Sequence, residues 1–361
     1  MEMGKLKSVQ GNPGTAAWLN TLQGARFPFA LLVWLSHLEV PPFGARFDFG
    51  GECAVSFFFV LSGFLLSHAY GRRVTEGKFA TRTFVFRHLC KLYPLHLLLF
   101  AAVLALDTVS GRGWRPAQLA ANLLLVQTWI PSGSFTFVVN GVSWYLCDIF
   151  FFYIVFGWLY RVLSRMSPRA VAGVGAVWVS LYLFAAGRVP DDLVNALLYV
   201  NPLLRLPDFA CGILVFRLWK SARAAKALCH IPSPLLGILP IVTVALAFAV
   251  YGLAPHWLGC QLLLLPASAL CVLSLALAEG RRSAVVDVWN GKALSWLGGL
   301  SFEFFMCHPL VFRLVRCVLA PDGGCLSALS YAAVSLALSV ALAWLLSRFF
   351  VRPLYRHTVS G

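Results

Sequence analysis

The residues able to do chemistry in this chain sit where water is scarce. In "TLQGARFPFALLVWLSHLEV", residues 21–40, Arg26 and His37 stand eleven positions apart inside an otherwise apolar run. On a helix that spacing is about three turns, so both side chains share one face, roughly 16 Å apart along the axis. A second histidine, His308, lies in the apolar run "LSFEFFMCHPLV", which also carries Glu303. Asp148 is the lone acid of "SWYLCDIFFFY", and Arg205 and Asp208 are helical neighbours in "LLRLPDFACG". Neutral imidazole can take a proton from a hydroxyl at physiological pH, and a guanidinium offers a fixed donor fork for phosphate or a developing oxyanion. The set therefore suits proton abstraction beside a bound anion. The structural alternatives are a hydrogen-bonded core position for either histidine and an ion pair for Arg205 with Asp208. There is no G-x-S-x-G elbow, no P-loop and no H-E-x-x-H, and no ligand spacing for a metal.

The elements that must hold these groups are membrane spans. The chain is 60% hydrophobic and 12% charged, with a mean hydropathy of +0.79, which excludes an ordinary soluble domain. Ten candidate spans are read near 24–40, 50–70, 92–109, 142–163, 170–187, 198–216, 234–254, 257–278, 294–319 and 327–347. The expected fold is all-α: a polytopic membrane protein of about ten helices with both termini cytoplasmic. A short N-terminal segment, 1–20, precedes a single membrane domain, 21–357, with no separate soluble domain. Charged groups inside spans, here Arg26, His37, Glu52, Asp148, Arg205, Asp208, Glu303, His308, Arg313 and Arg316, face a protein interior or a water-filled cavity. Arg313 and Arg316, toward the outer end of theirs, are expected to snorkel. Pro94, Pro202, Pro207 and Pro309 are points where helices could break. The ten scattered cysteines lack C-x-x-C pairing and read as buried free thiols.

The net charge of +15 could indicate nucleic acid, but its distribution indicates topology instead. On the N-terminal side of the membrane lie Lys5 and Lys7, the cluster 72–91, Arg161, Arg165 and Arg169, the cluster 217–226, Arg281, Arg282 and Lys292, and Arg348, Arg352 and Arg356. Only Arg46, Arg112, Arg115 and Arg188 fall opposite. This alternation is the positive-inside pattern. The inner loop 71–91 is the most basic stretch, with Arg72, Arg73, Lys78, Arg82, Arg87 and Lys91. It reads as an orientation signal in contact with anionic lipid, as a cradle for a phosphate-bearing cytosolic ligand, or as both. Across the outer connection 110–141, the apolar stretch 117–130 is too short to span and should lie at the interface or re-enter.

These motifs resemble the acyltransferase 3 family of integral-membrane O-acyltransferases across nearly the whole chain. Residues 22–37 are similar to its first helix, L-x-G-x-R-x-x-A-x-L-x-V-x-x-x-H. "AVSFFFVLSGFLLS" resembles its second-span signature, with Ala54 for the first glycine. "FRHLCKLYP" is similar to R-x-x-[RK]-x-x-P and places Arg87, Lys91 and Pro94. "SWYLCDIFFFY" resembles W-S-L-x-x-E-x-x-F-Y, with Ile149 at the glutamate and Asp148 one place earlier. "LGGLSFEFFMCHPLV" is similar to S-Y-x-x-Y-L-x-H, with Phe302 and Phe305 for the tyrosines and Glu303 between them. The final E-x-P is "VRP" here.

The resemblance implies transfer of an acyl group, acetyl by expectation, from cytosolic acetyl-CoA (or another acyl-CoA) as co-substrate, with no tightly bound cofactor. The acceptor would be a carbohydrate hydroxyl, on a cell-surface or exported polysaccharide or its lipid-linked precursor. A macrolide antibiotic is the alternative acceptor. His37 would be the base and Arg26 would orient the donor or stabilise charge at the thioester, with Asp148, Glu303 and His308 as further site residues. Arg72, Arg73, Arg82, Arg87 and Lys91 would meet the coenzyme A phosphates. The expected location is a bacterial inner membrane, with membrane lipids as partners, a polysaccharide-biosynthesis complex as a candidate partner, and no nucleic acid. A transporter or lipid-linked-sugar flippase would also need buried charge, but no internal repeat supports one. A non-catalytic partner of such a complex is the third reading.

Overall fold

The computed structural model describes residues 19–38, 51–251, 262–319 and 324–359, and all regular structure among them is helical. The main helices are α1 (Asn20–Ser36), α2 (Gly51–Thr75), α3 (Thr81–Val109), α4 (Pro116–Leu123), α5 (Trp144–Arg165), α6 (Pro168–Ala186) and α7 (Pro202–Trp219). They continue with α8 (Ser233–Tyr251), α9 (Leu264–Ala278), α10 (Lys292–Gly298), α11 (Ser301–Val318) and α12 (Cys325–Leu345). Lys5, Lys7 and Arg46 of the charge map, the segment 1–18 and the start of the expected span at 257 lie outside the described residues.

Helix occupies most of the described part of each expected span, but among the described residues only five helices are long and apolar enough to cross a membrane on their own, or up to seven spans if each bent pair counts as one, fewer than the ten expected. One bend has a local cause. The chain from Asp191 to Tyr199 meets α7 at 43°, where Asn201 caps α7 by accepting a bond from the Leu203 amide (3.0 Å) and Pro202 occupies the first helical position. Pro94, Pro207 and Pro309 instead lie inside continuous helices. The inner "loop" 71–91 is also helical. Only residues 76–80 connect α2 to α3, turning through Gly77 at φ +71°, so Arg72 and Arg73 end α2, Arg82, Arg87 and Lys91 lie on the first turns of α3, and Lys78 sits between them.

Helices apolar all round have no packing face dictated by solvent, so small residues set the contacts. A Cβ on Gly63 of α2 would stand 2.1 Å from the Phe209 carbonyl oxygen of α7, and one on Gly212 would stand 2.0 Å from that of Val60. The two backbones touch along this seam. α1 meets the C-terminal third in the same way, since a Cβ on Gly24 would stand 1.9 Å from the Trp289 oxygen. α6 lies at the periphery, with Val174, Val177, Leu181 and Phe184 exposed to what is lipid in the membrane. Cys53, Cys147, Cys271 and Cys307 are buried free thiols, whereas Cys229, Cys317 and Cys325 are exposed, contrary to the uniform burial expected.

Candidate active site

α1 ends at Ser36, and His37 is its C-cap, with its backbone amide bonded to the Trp34 carbonyl (3.2 Å). The side-chain Nδ1 lies 2.8 Å from the Val33 carbonyl oxygen. A carbonyl can only accept, so Nδ1 carries the proton and the lone pair falls on Nε2. The His308 ring, from the middle of α11, stands edge-on to it, with centroids 5.1 Å apart at 67°. His308 is fully buried, and neither ring nitrogen makes a hydrogen bond among the described residues. The ring lies beside the Phe304 and Phe305 carbonyls without the geometry to bond them. Phe304, Phe305 and Phe312 enclose it. Two residues from opposite ends of the chain thus form one imidazole pair.

Three turns down α1, Arg26 donates to Gln23 (3.3 Å) and lies within electrostatic reach of Glu303, Tyr145, Tyr153 and Lys91. By accessible surface Arg26 is half-buried and Lys91 is exposed. Glu303, buried and bonded by Ser347, supplies negative charge to this pair of cations. Tyr145 is the bridge that sequence reasoning passed over. Its ring stacks on Phe59 (4.8 Å), contacts Phe305 (5.4 Å), and its hydroxyl pairs with Ser62.

Beside Tyr145 lies a fully buried polar cluster from α2, α5 and α7. Asp148 accepts from the Thr128 hydroxyl (3.2 Å), Arg205 and Asp208 are 3.7 Å apart, and Ser56 donates to Asp208. The Arg205 guanidinium also stands over Phe59 at 5.1 Å and Tyr199 at 5.6 Å. Arg205 and Asp208 thus form the ion pair expected, and the lone acid Asp148 finds its counter-charge in the same Arg205.

The connection 110–143 packs against α3, α5 and α11. After α4 it turns through Leu125 and Val139, both with positive φ (54° and 56°), a conformation costly for side chains with a Cβ. Irregular backbone buried in protein needs polar partners. Asn122 donates to the Val138 carbonyl (3.0 Å) and to Ser143 (2.9 Å), and His96 donates to the Asn122 carbonyl (3.1 Å). Two ties reach α11 on either side of His308: Asn140 donates to the Met306 carbonyl (3.0 Å) and Arg313 to that of Val139 (3.0 Å). Arg313 also pairs with Asp107 at 2.7 Å, and Trp114 donates to the other oxygen of that carboxylate at 2.9 Å. Arg313 therefore does not snorkel, because a buried acid at the end of α3 holds it. Asp107 escaped the sequence reading because it sits at the boundary of an apolar run.

The expected phosphate-binding cations do not form one group. Lys91 joins Arg26, while Arg73 and Arg87 flank Tyr70. Arg82 is exposed on the first turn of α3. Arg72 turns elsewhere and bonds Glu76 (2.7 Å), which, together with Lys78, holds the Glu76 carboxyl below its usual range.

A helical membrane protein whose imidazole pair, one ring buried and one half-buried, shares a helix with Arg26 is the class that these features define. The chain matches the acyltransferase-domain model of the acyltransferase 3 family over residues 19–348, and it belongs to that family. It is 28% identical over 340 residues to the acyltransferase MdmB of Streptomyces mycarofaciens, covering 83% of this chain and 81% of that protein. It is 34% identical over 132 residues to Protein 2 in the picA locus of Rhizobium radiobacter, covering 33% and 68% of the two chains. No solved structure matches it. The protein is an enzyme that transfers acyl groups.

Proposed function

We propose that the protein transfers an acetyl group from cytosolic acetyl-CoA to a hydroxyl of a carbohydrate, on an exported polysaccharide or its lipid-linked precursor. It would do so in a bacterial inner membrane, with ten spans and both termini in the cytoplasm. The observation that carries this reading is that His37, at the end of the helix that also bears Arg26, meets His308 of α11. His37 Nε2 takes the acceptor proton as the hydroxyl oxygen bonds to the thioester carbonyl carbon. The C–S bond then breaks and the thiolate recovers that proton from His37. Arg26, about 16 Å down the helix, is too distant to touch the same atom. It holds the donor's polar arm together with Lys91, and Arg73, Arg82 and Arg87 meet the phosphates nearer the cytosol. Asp148, through Arg205, fixes the α2–α5–α7 wall of the site.

Purified protein given radiolabelled acetyl-CoA and a panel of glycans tests the proposal. Label should appear as an alkali-labile ester on a glycan. Transfer only to a macrolide would replace the acceptor class, and uptake of a lipid-linked sugar without acylation would favour a flippase.

A further inference from the structure

Where α2, α5 and α7 end together, a crevice of about 500 Å³ opens between them. Its walls are Ile213, Phe216 and Tyr160, and its rim carries Arg72, Arg217 and Lys220 with the hydroxyls of Thr75, Ser164 and Ser221. No acidic side chain lines it. From Ile213 to Lys220 is two turns of helix, so the apolar floor lies roughly 10 Å below the cationic rim.

The rim is partly preset. Arg217 Nη1 donates to the Leu163 carbonyl (2.8 Å) and the Met166 carbonyl (2.7 Å), which end α5. Its Nε and Nη2 bond no acceptor among the described residues, so three of the five guanidinium N–H groups remain for a ligand. The Lys220 ammonium lies 5.5 Å over the Trp219 ring, and no carboxylate among the described residues pairs with it. Arg72 on this rim is already paired with Glu76, but the spare N–H groups of Arg217 and the ammonium of Lys220, with no carboxylate on either among the described residues, fit an anion. An apolar floor beneath them fits an amphiphile rather than a free salt. Trp158, Val162 and Leu218, exposed and apolar on other faces of the same helix ends, set α5 and α7 against hydrocarbon in a bilayer.

We propose that this crevice binds an anionic phospholipid, with its phosphate on Arg217 and Lys220 and an acyl chain along Phe216 and Ile213. Neither Arg26, Lys91 nor either histidine of the imidazole pair lines it, so the crevice is separate from those residues. It is independent of the reaction proposed above.

The test uses the full chain reconstituted into nanodiscs of phosphatidylglycerol and phosphatidylcholine, then released for native mass spectrometry. Wild type should retain one phosphatidylglycerol in preference to phosphatidylcholine. Lys220→Glu and Lys220→Gln, both on an exposed position, should reduce that retention, by at least about fivefold for the loss of one cation. Arg217→Lys keeps the charge while losing the fork, and should fall between. Equal retention of both lipids, or unchanged retention in Lys220→Glu, overturns the proposal. So does displacement of the lipid by soluble coenzyme A, which would reassign the crevice to a phosphorylated solute. A melting curve on each variant guards against misfolding as the cause of a loss.

Discussion

The imidazole of His37, at the end of the first helix, stands edge-on to that of His308 with centroids 5.1 Å apart. The Val33 carbonyl fixes the proton of His37 on Nδ1 and so aims its basic nitrogen. His37→Ala should therefore leave inserted, folded protein with acyl transfer down on the order of 10² or more. Near-normal transfer to the glycan acceptor would remove His37 from the chemistry.

His308 behaves differently because its buried nitrogens have no hydrogen-bond partner among the described residues. A buried polar group left unsatisfied costs about 1–3 kcal/mol. His308→Leu should thus match or exceed the wild-type melting temperature while transfer falls. A melting temperature several degrees lower would mean that His308 is a structural core residue.

Lys91 tests the donor path. Lys91→Glu should raise the KM for the acyl-CoA donor, leaving acceptor KM little changed, and Lys91→Arg should restore most of the loss. A change confined to the acceptor KM would move Lys91 out of the donor path.

Arg313 and Asp107 form a largely buried pair that also secures the strained turn at Val139. Removing one partner of such a pair leaves an uncompensated charge, at a cost of about 3 kcal/mol. Asp107→Leu and Arg313→Leu should each lower the melting temperature sharply. The double variant, which buries no lone charge, should recover much of it. Additive losses would dissolve the claim that the two act as a unit.

Gly63 and Gly212 admit no side chain, since the obstructing atoms are backbone oxygens. Gly212→Ala should cost about 1–3 kcal/mol or more, read as lost expression of folded protein. A mild effect would mean that α2 and α7 separate easily.

Much of the fold was legible because a hydrophobic run of span length has few alternatives, and the alternation of Lys and Arg falls on the helix ends. The pairing of His37 with His308 was not, since helical phase describes one helix and says nothing about which distant helix meets it. The resemblance had named both histidines without placing them together. Lys91 was grouped with Arg72 by proximity in sequence, whereas helix geometry turns neighbouring cations to different faces. The residues that shape the connection 110–143, Asn122, Thr128 and Asn140, are uncharged and left no trace in a search for ions in the wrong solvent.

The contacts of α1 also bear on how the molecule is made. Trp34 packs on Phe312 (5.0 Å) and donates to Ser339 (3.4 Å), and Thr21 donates to Glu279 (2.8 Å). The helix that leaves the ribosome early in synthesis therefore waits for partners translated late. Arg26 and His37 must reside in the bilayer without their final neighbours until the C-terminal helices arrive. A nascent chain halted before residue 300 would carry Arg26 and His37 without His308, so the imidazole pair forms only once α11 has been made and packed against α1.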